Sequence, residues 1–242
     1  AIERAVTART KAVVICTPNN PTGACYTRVE LAALLDLCRA CDLVVIADES
    51  YSQIVYDGRR HVTIASLPGA LPRAVVVNGL SKSFAMTGWR LGYIIAREEF
   101  IRAFEKIGYE IHGCVNTAVQ QAGVVALDRA RRLTAGLVAK YAAKRALMID
   151  GLRRAGLECH LPEGGFEAFP KVPARFGGSL PFVRFLATEA AVLAKPGSAF
   201  GPAGDRHVRL VYCRDDRQIR TGTRRIARAL GSRAGGLDAR ER

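Results

Sequence analysis

Three short runs of aliphatic, mostly β-branched residues do most to restrict the fold. They are Lys11-Ala12-Val13-Val14-Ile15-Cys16-Thr17, Leu43-Val44-Val45-Ile46-Ala47 and Ala74-Val75-Val76-Val77-Asn78. Each is apolar without alternation, the pattern of a strand buried on both faces. Between the first two lies a helical pattern reaching about Cys41, with Val29, Leu31, Leu34, Leu35 and Leu37 on its apolar side. Thr27 is placed to cap it, with Glu30 at the capping-box position. Strand, helix, strand in this order predicts an α/β fold with a largely parallel sheet. A fourth strand is expected over 91–96. Ligands of such sheets bind beyond the carboxyl ends of the strands. The loops there carry Pro18-Asn19-Asn20-Pro21-Thr22-Gly23, Asp48-Glu49-Ser50-Tyr51 and Ser81-Lys82. Three loops from separate strands are therefore expected to converge on one site.

The remainder reads as follows. Residues 1–10 resemble the end of a helix. Helices are expected over 98–108, 116–127 and 133–154, the last stopped by Gly156. Short strands follow over 157–172, around Pro162-Glu163-Gly164-Gly165. A helix over 182–193, a loop Pro196-Gly197-Ser198-Ala199-Phe200-Gly201, a strand over 207–213 and a helix over 219–230 complete the pattern. The expected division is an α/β domain over 1–130, a smaller α+β domain over 131–231 and a disordered tail over 232–242.

Composition narrows the function. No apolar run approaches the roughly 18–20 residues of a membrane span, and the first residues lack a signal-peptide pattern. Seven scattered cysteines read as the reduced thiols of a cytoplasmic protein. Cys38 and Cys41 form a Cys-x-x-Cys without the second pair zinc requires, near a helix end rather than a start. No metal site is expected. A net charge of +14 admits a nucleic-acid partner. The arginines, however, fall into short groups such as Arg129/Arg131/Arg132, Arg153/Arg154 and Arg224/Arg225, with few aromatics between them. Nucleic acid is accordingly not the expected partner.

An amine that attacks a carbonyl must be held still and partly desolvated. Lys82, just past a buried strand, fits that description. Arg90, eight positions on, offers a planar fork suited to phosphate. Lysine with a phosphate-binding arginine suggests a phosphorylated aldehyde, with pyridoxal 5'-phosphate as the candidate cofactor. A lone Ser-Lys would equally be a surface lysine before a turn. The whole string Gly79-Leu80-Ser81-Lys82-Ser83-Phe84-Ala85-Met86-Thr87-Gly88-Trp89-Arg90-Leu91-Gly92 is harder to dismiss. Asp48 closes a buried strand, where a carboxylate needs a partner. It reads as a cap or structural ion pair, or as the group that keeps a pyridine nitrogen protonated. Tyr51 reads as loop packing or as a hydrogen bond to the ring's phenolic oxygen. Asn20 reads as a turn former or as a second contact to that oxygen.

Taken together, Asn19-Asn20-Pro21-Thr22-Gly23, Asp48-Glu49-Ser50-Tyr51, Ser81-Lys82 with Gly88-Trp89-Arg90-Leu91-Gly92-Tyr93, and Pro196-Gly197-Ser198-Ala199-Phe200-Gly201 with Arg209-Leu210 resemble the class I/II pyridoxal-phosphate aminotransferases, of the aspartate aminotransferase fold (fold type I). Order and spacing agree as well as residue type. The resemblance implies the C-terminal half of that large domain, with a mostly parallel sheet, and a smaller α+β domain. By the same resemblance Lys82 forms the Schiff base and shuttles the proton, Asp48 pairs with the pyridine nitrogen, and Asn20 and Tyr51 hold the ring hydroxyl. Arg90 binds the phosphate, with Ser81 as a minor contributor, and Arg209 clamps the substrate α-carboxylate. The implied reaction moves an amino group from an amino acid to a 2-oxo acid, in a homodimer. Carbon–sulfur lyases and aminocyclopropane-carboxylate-type synthases share these motifs, some transcriptional regulators carry an aminotransferase-like domain, and a further reading is a truncated chain that keeps the catalytic residues but is inactive by itself.

Three departures stand out. About half of the family's large domain, the part before the Asn-Pro-Thr-Gly motif, has no counterpart here. Gly79 stands where a phosphate-binding serine is frequent. Gly165-Phe166-Glu167 places a carboxylate where many relatives have an aromatic residue, and 177–181 is shortened.

Overall fold

The computed structural model describes residues 2–232. Of the expected tail, Ser232 ends the last helix and 233–242 lies outside the described residues. The chain forms two compact units. Among the described residues, the first contains 2–20, Ala24–Val138 and Glu163–Gly165, and the second Pro21–Gly23, Ala139–Pro162 and 166–232.

The first unit holds α1 (Ile2–Ala5), β1 (Ala12–Cys16), α2 (Arg28–Ala40), β2 (Val44–Asp48), β3 (Ala74–Gly79), α3 (Leu80–Ser83), β4 (Gly92–Ile95), α4 (Glu98–His112) and α5 (Thr117–Asp128). α6 (Ala130–Arg154) begins here and continues in the second unit. The strands lie in the order β1-β2-β3-β4. The first three are parallel and β4 runs antiparallel to β3. Cys16, Asp48 and Val77 are level across the three parallel strands, so their carboxyl ends open on one side.

α2 starts where the sequence predicts. The Glu30 N–H donates to Thr27 Oγ1 at 3.2 Å and the Glu30 carboxylate accepts the Thr27 N–H at 2.8 Å, a complete capping box. Leu31, Leu34, Leu35 and Cys38 then pack against Ile15, Val45, Ala47 and Val76. Each fully buried leucine contributes about 1.5–3 kcal/mol. The expectation of strands buried on both faces is not met throughout. Side chains alternate across a strand, and Val14 and Ile94, on the face away from α2, are 71% and 39% exposed.

The second unit completes α6 and adds β5 (Glu167–Ala168), α7 (Ser179–Ala190), β6 (Lys195–Pro196), β7 (Val208–Val211) and α8 (Asp216–Ser232). Its sheet is antiparallel, in the order β5-β7-β6. Leu152, Phe182, Leu186, Tyr212 and Ile226 form its fully buried interior. The strands expected over 157–172 shrink to β5 and a single bridge at Lys171, with Gly164 bridging Val55 in the first unit, because Pro162, Gly164, Gly165 and Pro170 interrupt the ladder. α7 ends three residues early, where Ala191 takes a left-handed conformation. Its first turn is capped from a distance. Asp205 Oδ1 accepts the Ser179 N–H at 3.1 Å and its hydroxyl at 2.7 Å, which holds the Asp205 carboxyl below its ordinary range.

Candidate active site

Of the three loops, those after β2 and β3 come together at the carboxyl ends of their strands, while Pro21–Gly23 of the loop after β1 belongs to the second unit. The ladder continues past the strands, with the Thr17 N–H on the Asp48 carbonyl and the Glu49 N–H on the Val77 carbonyl, both at 2.9 Å. Asp48, half-buried, is oriented by Ser50: its Oδ1 accepts the Ser50 N–H at 3.0 Å and the Ser50 hydroxyl at 2.6 Å. The Ser83 hydroxyl donates to the Ser50 carbonyl at 3.3 Å, and Asn78 Nδ2 to Ser52 Oγ at 3.1 Å. The loop after β2 is thereby tied to the segment after β3.

A cavity of about 370 Å³ opens at this junction, lined among others by Ser50, Ser81, Lys82, Thr87, Arg90 and Gly92. Lys82, half-buried, lies in the last turn of α3. Arg90 is exposed, sits in the left-handed region at φ 52°, and donates to the Thr87 carbonyl at 3.0 Å. Gly92 is required by space: a Cβ there would stand 2.8 Å from the Asn78 carbonyl oxygen. The structure thus unites Ser81, Lys82 and Arg90, with Asp48 one hydrogen bond behind Ser50. Tyr51 is buried and Asn20 half-buried, and neither is among the residues lining this cavity. Arg209 lies on β7 in the second unit.

Sequence reasoning gave no role to Ser50, which both fixes Asp48 and lines the cavity. The available signal was a serine two residues after an aspartate, a common local hydrogen-bonding pattern. It also missed the group beneath the loop. Glu49 is 2% exposed, with Oε2 2.9 Å from His61 Nε2 and Oε1 accepting the Ile64 N–H at 3.0 Å. Burial, and then the Glu49 charge, push the Tyr93 hydroxyl above its ordinary range.

In the second unit, the Arg209 guanidinium lies 5.1 Å from the centroid of the Phe200 ring, a cation–π contact. Phe200 belongs to the Pro196–Gly201 loop, whose turn depends on glycine: a Cβ on Gly197 would overlap the Gly204 carbonyl. Glu167, the carboxylate in place of an aromatic, is buried and accepts the Phe166 N–H at 3.0 Å. Burial first, then Cys213 and Glu167, push the Tyr141 hydroxyl up. Cys38, half of the Cys-x-x-Cys, packs in the α2 core, and burial raises its thiol.

Chemically, the cavity offers an amine for a carbonyl carbon, and a guanidinium and hydroxyls for an anion. A fixed carboxylate lies behind them. This donor set fits a phosphorylated aldehyde with a basic ring nitrogen.

Comparison with known proteins gives a consistent result. Residues 1–226 match the family described as aminotransferase class I and II. The chain is 36% identical over 231 residues to an aromatic-amino-acid aminotransferase of Thermococcus litoralis, covering 95% of this chain and 59% of that protein. It is also 36% identical over 231 residues to an aspartate aminotransferase of Pyrococcus abyssi, with the same coverage of 95% and 59%. A solved aromatic aminotransferase from Pyrococcus horikoshii superposes with a TM-score of 0.92 at 37% identity, over 96% of this chain and 63% of that one. The chain therefore spans about three fifths of the length of these relatives. Among the described residues, no helix is long and apolar enough to cross a membrane.

Proposed function

The chain belongs to the class I and II aminotransferases, and on that premise we propose that it binds pyridoxal 5'-phosphate and serves amino-group transfer from an amino acid to a 2-oxo acid. The observation that carries this reading is the cavity after β3, where Lys82, Ser81 and Arg90 meet beside the Ser50-fixed Asp48. When bound, the cofactor supplies an electrophilic aldehyde and a ring that draws electrons from the substrate Cα.

The chain's own residues do the rest. Lys82 Nζ holds the aldehyde end, then takes the Cα proton of the amino acid and returns it. Arg90, with Ser81, binds the phosphate through charge-assisted hydrogen bonds. Asp48, held through its Oδ1 by Ser50, would keep a proton on the ring nitrogen. Asn20 and Tyr51 hold the ring hydroxyl. Arg209 takes a substrate α-carboxylate as a two-pronged fork, its guanidinium steadied by Phe200. The working form is a cytoplasmic homodimer. The scattered thiols support the compartment, and the exposed apolar side chains of Ile107, Ile111 and Val124 support the dimer.

The test is spectroscopic. Pyridoxal 5'-phosphate added to the purified chain should produce the long-wavelength absorbance of lysine-bound cofactor, and Lys82→Ala should abolish it. A band that survives Lys82→Ala overturns the assignment, whereas a folded chain without the band means that these residues encode the chemistry but do not assemble it by themselves. Where the band forms, product analysis separates the chemistries. A new amino acid made from a 2-oxo acid supports the transferase, whereas pyruvate and ammonia from cystathionine identify a lyase.

A further inference from the structure

The most concentrated charge in the second unit lies along α8. Arg214 just before it, and Arg217, Arg220, Arg224, Arg225 and Arg228 within it, are all exposed. The opposite side of the helix, with Ile219, Thr223, Ile226, Ala229 and Leu230, is buried. Hollows of about 690 Å³ and about 360 Å³ flank the ridge. Arg214, Arg217 and Arg225 line the first, with Gln218 and Thr221. Arg220 and Arg224 line the second, with Arg154.

Nothing in the helix neutralises this charge. Its one acid, Asp216, pairs with Lys144 at 2.9 Å, and Asp215 just before it accepts the Gln218 N–H at 2.7 Å. Among the described residues, none of the six arginine side chains forms an ion pair, while Arg154 pairs with Asp150. Arg217/Arg220, Arg220/Arg224, Arg224/Arg228 and Arg225/Arg228 stand three or four residues apart. Like charges at that spacing repel and weaken a helix. The sequence shows the arginines as short groups. The helix turns them into one ridge with a hollow on each flank.

We propose that this face binds the phosphate backbone of a nucleic-acid duplex without reading its bases. Charge complementarity selects a polyanion. The burial of the helix's apolar side removes the anchor a membrane-surface helix needs. The helix carries no aromatic residue on which unpaired bases would stack. The eleven-residue advance from Arg217 to Arg228 spans about 16 Å at about 1.5 Å per residue. A duplex carries one phosphate per about 1.7 Å of its axis over both strands, so a ridge of this length meets enough phosphates for its six arginines to neutralise about four or five. This use of the surface does not involve the cofactor and stands apart from the aminotransferase reading.

The experiment is fluorescence anisotropy of the 242-residue chain with labelled duplexes of two unrelated sequences. Both should bind alike. The slope of log K against log salt should be about −4, roughly a 300-fold loss between about 50 and about 200 mM salt. The variant Arg217→Gln/Arg220→Gln/Arg224→Gln/Arg225→Gln should keep its far-UV circular dichroism, since glutamine suits a helix. It should bind at least roughly tenfold more weakly, with a slope near zero. The control Arg60→Gln/Arg129→Gln/Arg131→Gln/Arg132→Gln removes the same charge from the first unit and should bind as the parent does. Equal loss in both variants overturns the proposal, because total charge alone would then explain binding. So would no binding by the parent at low salt, a strong preference between the sequences, or binding to phosphatidylserine vesicles with the duplex left unbound.

Discussion

Glu49→Ala removes the carboxylate that sits beneath the loop joining β2 to the cavity. In the parent, its two oxygens serve the Ile64 N–H at 3.0 Å and His61 Nε2 at 2.9 Å, and the side chain is 2% exposed. Alanine leaves both groups buried without that partner. Each buried polar group left without its partner costs about 1–3 kcal/mol. With the Ile64 N–H and His61 both affected, the expected loss is about 2–6 kcal/mol. Glu49→Gln keeps one oxygen for Ile64 and should lose only about 1–2 kcal/mol. Urea unfolding followed by far-UV circular dichroism, at constant pH and with an unchanged m value, measures both variants. An alanine variant within about 1 kcal/mol of the parent would refute the reasoning. So would a glutamine variant as unstable as the alanine one.

Two further outcomes are expected. Gly92→Ala should cost about 1–3 kcal/mol and weaken pyridoxal-phosphate binding, since the new methyl meets the Asn78 carbonyl at 2.8 Å and must push β4 from β3. Denaturation and cofactor titration of that variant test this, and unchanged values in both would contradict it. Burial, with Glu163 adding to it, pushes the Cys25 thiol up to about 11, and burial raises Cys159 likewise to about 11. Both stay protonated through neutral pH, and their reactivity rises only as pH climbs toward those values. In iodoacetamide labelling at pH about 8, the exposed Cys114 and Cys213 should react first. Peptide mass mapping that finds Cys25 as fast as Cys114 would disprove the ordering.

The sheet was legible because three apolar runs each ended in a break, and Thr27 with Glu30 announced the α2 start. Lys82 and Arg90 were legible because their spacing fits one turn-and-strand segment. What was hidden rests on contacts distant in sequence. His61 is twelve residues from Glu49, Asp205 is twenty-six from the Ser179 it caps, and no local period links either pair. The face of the sheet bearing Val14 escaped notice because an unbroken apolar run reads alike whether one face or both are covered. The α8 ridge escaped for the opposite reason: its arginines are irregular along the chain and align only after winding at 3.6 residues per turn.

Arg90 stands at φ 52° and ψ 46°. Glycine occupies that conformation freely, whereas a residue with a Cβ is about 1–2 kcal/mol worse off there. The backbone at position 90 therefore favours the one residue type that carries no side chain, while the cavity beside Lys82 gains a guanidinium from the residue actually present. Backbone stability and the placing of a guanidinium beside Lys82 make opposite demands on a single position. A redesign ranked by melting temperature alone would install glycine there and remove the guanidinium from the lining of this cavity.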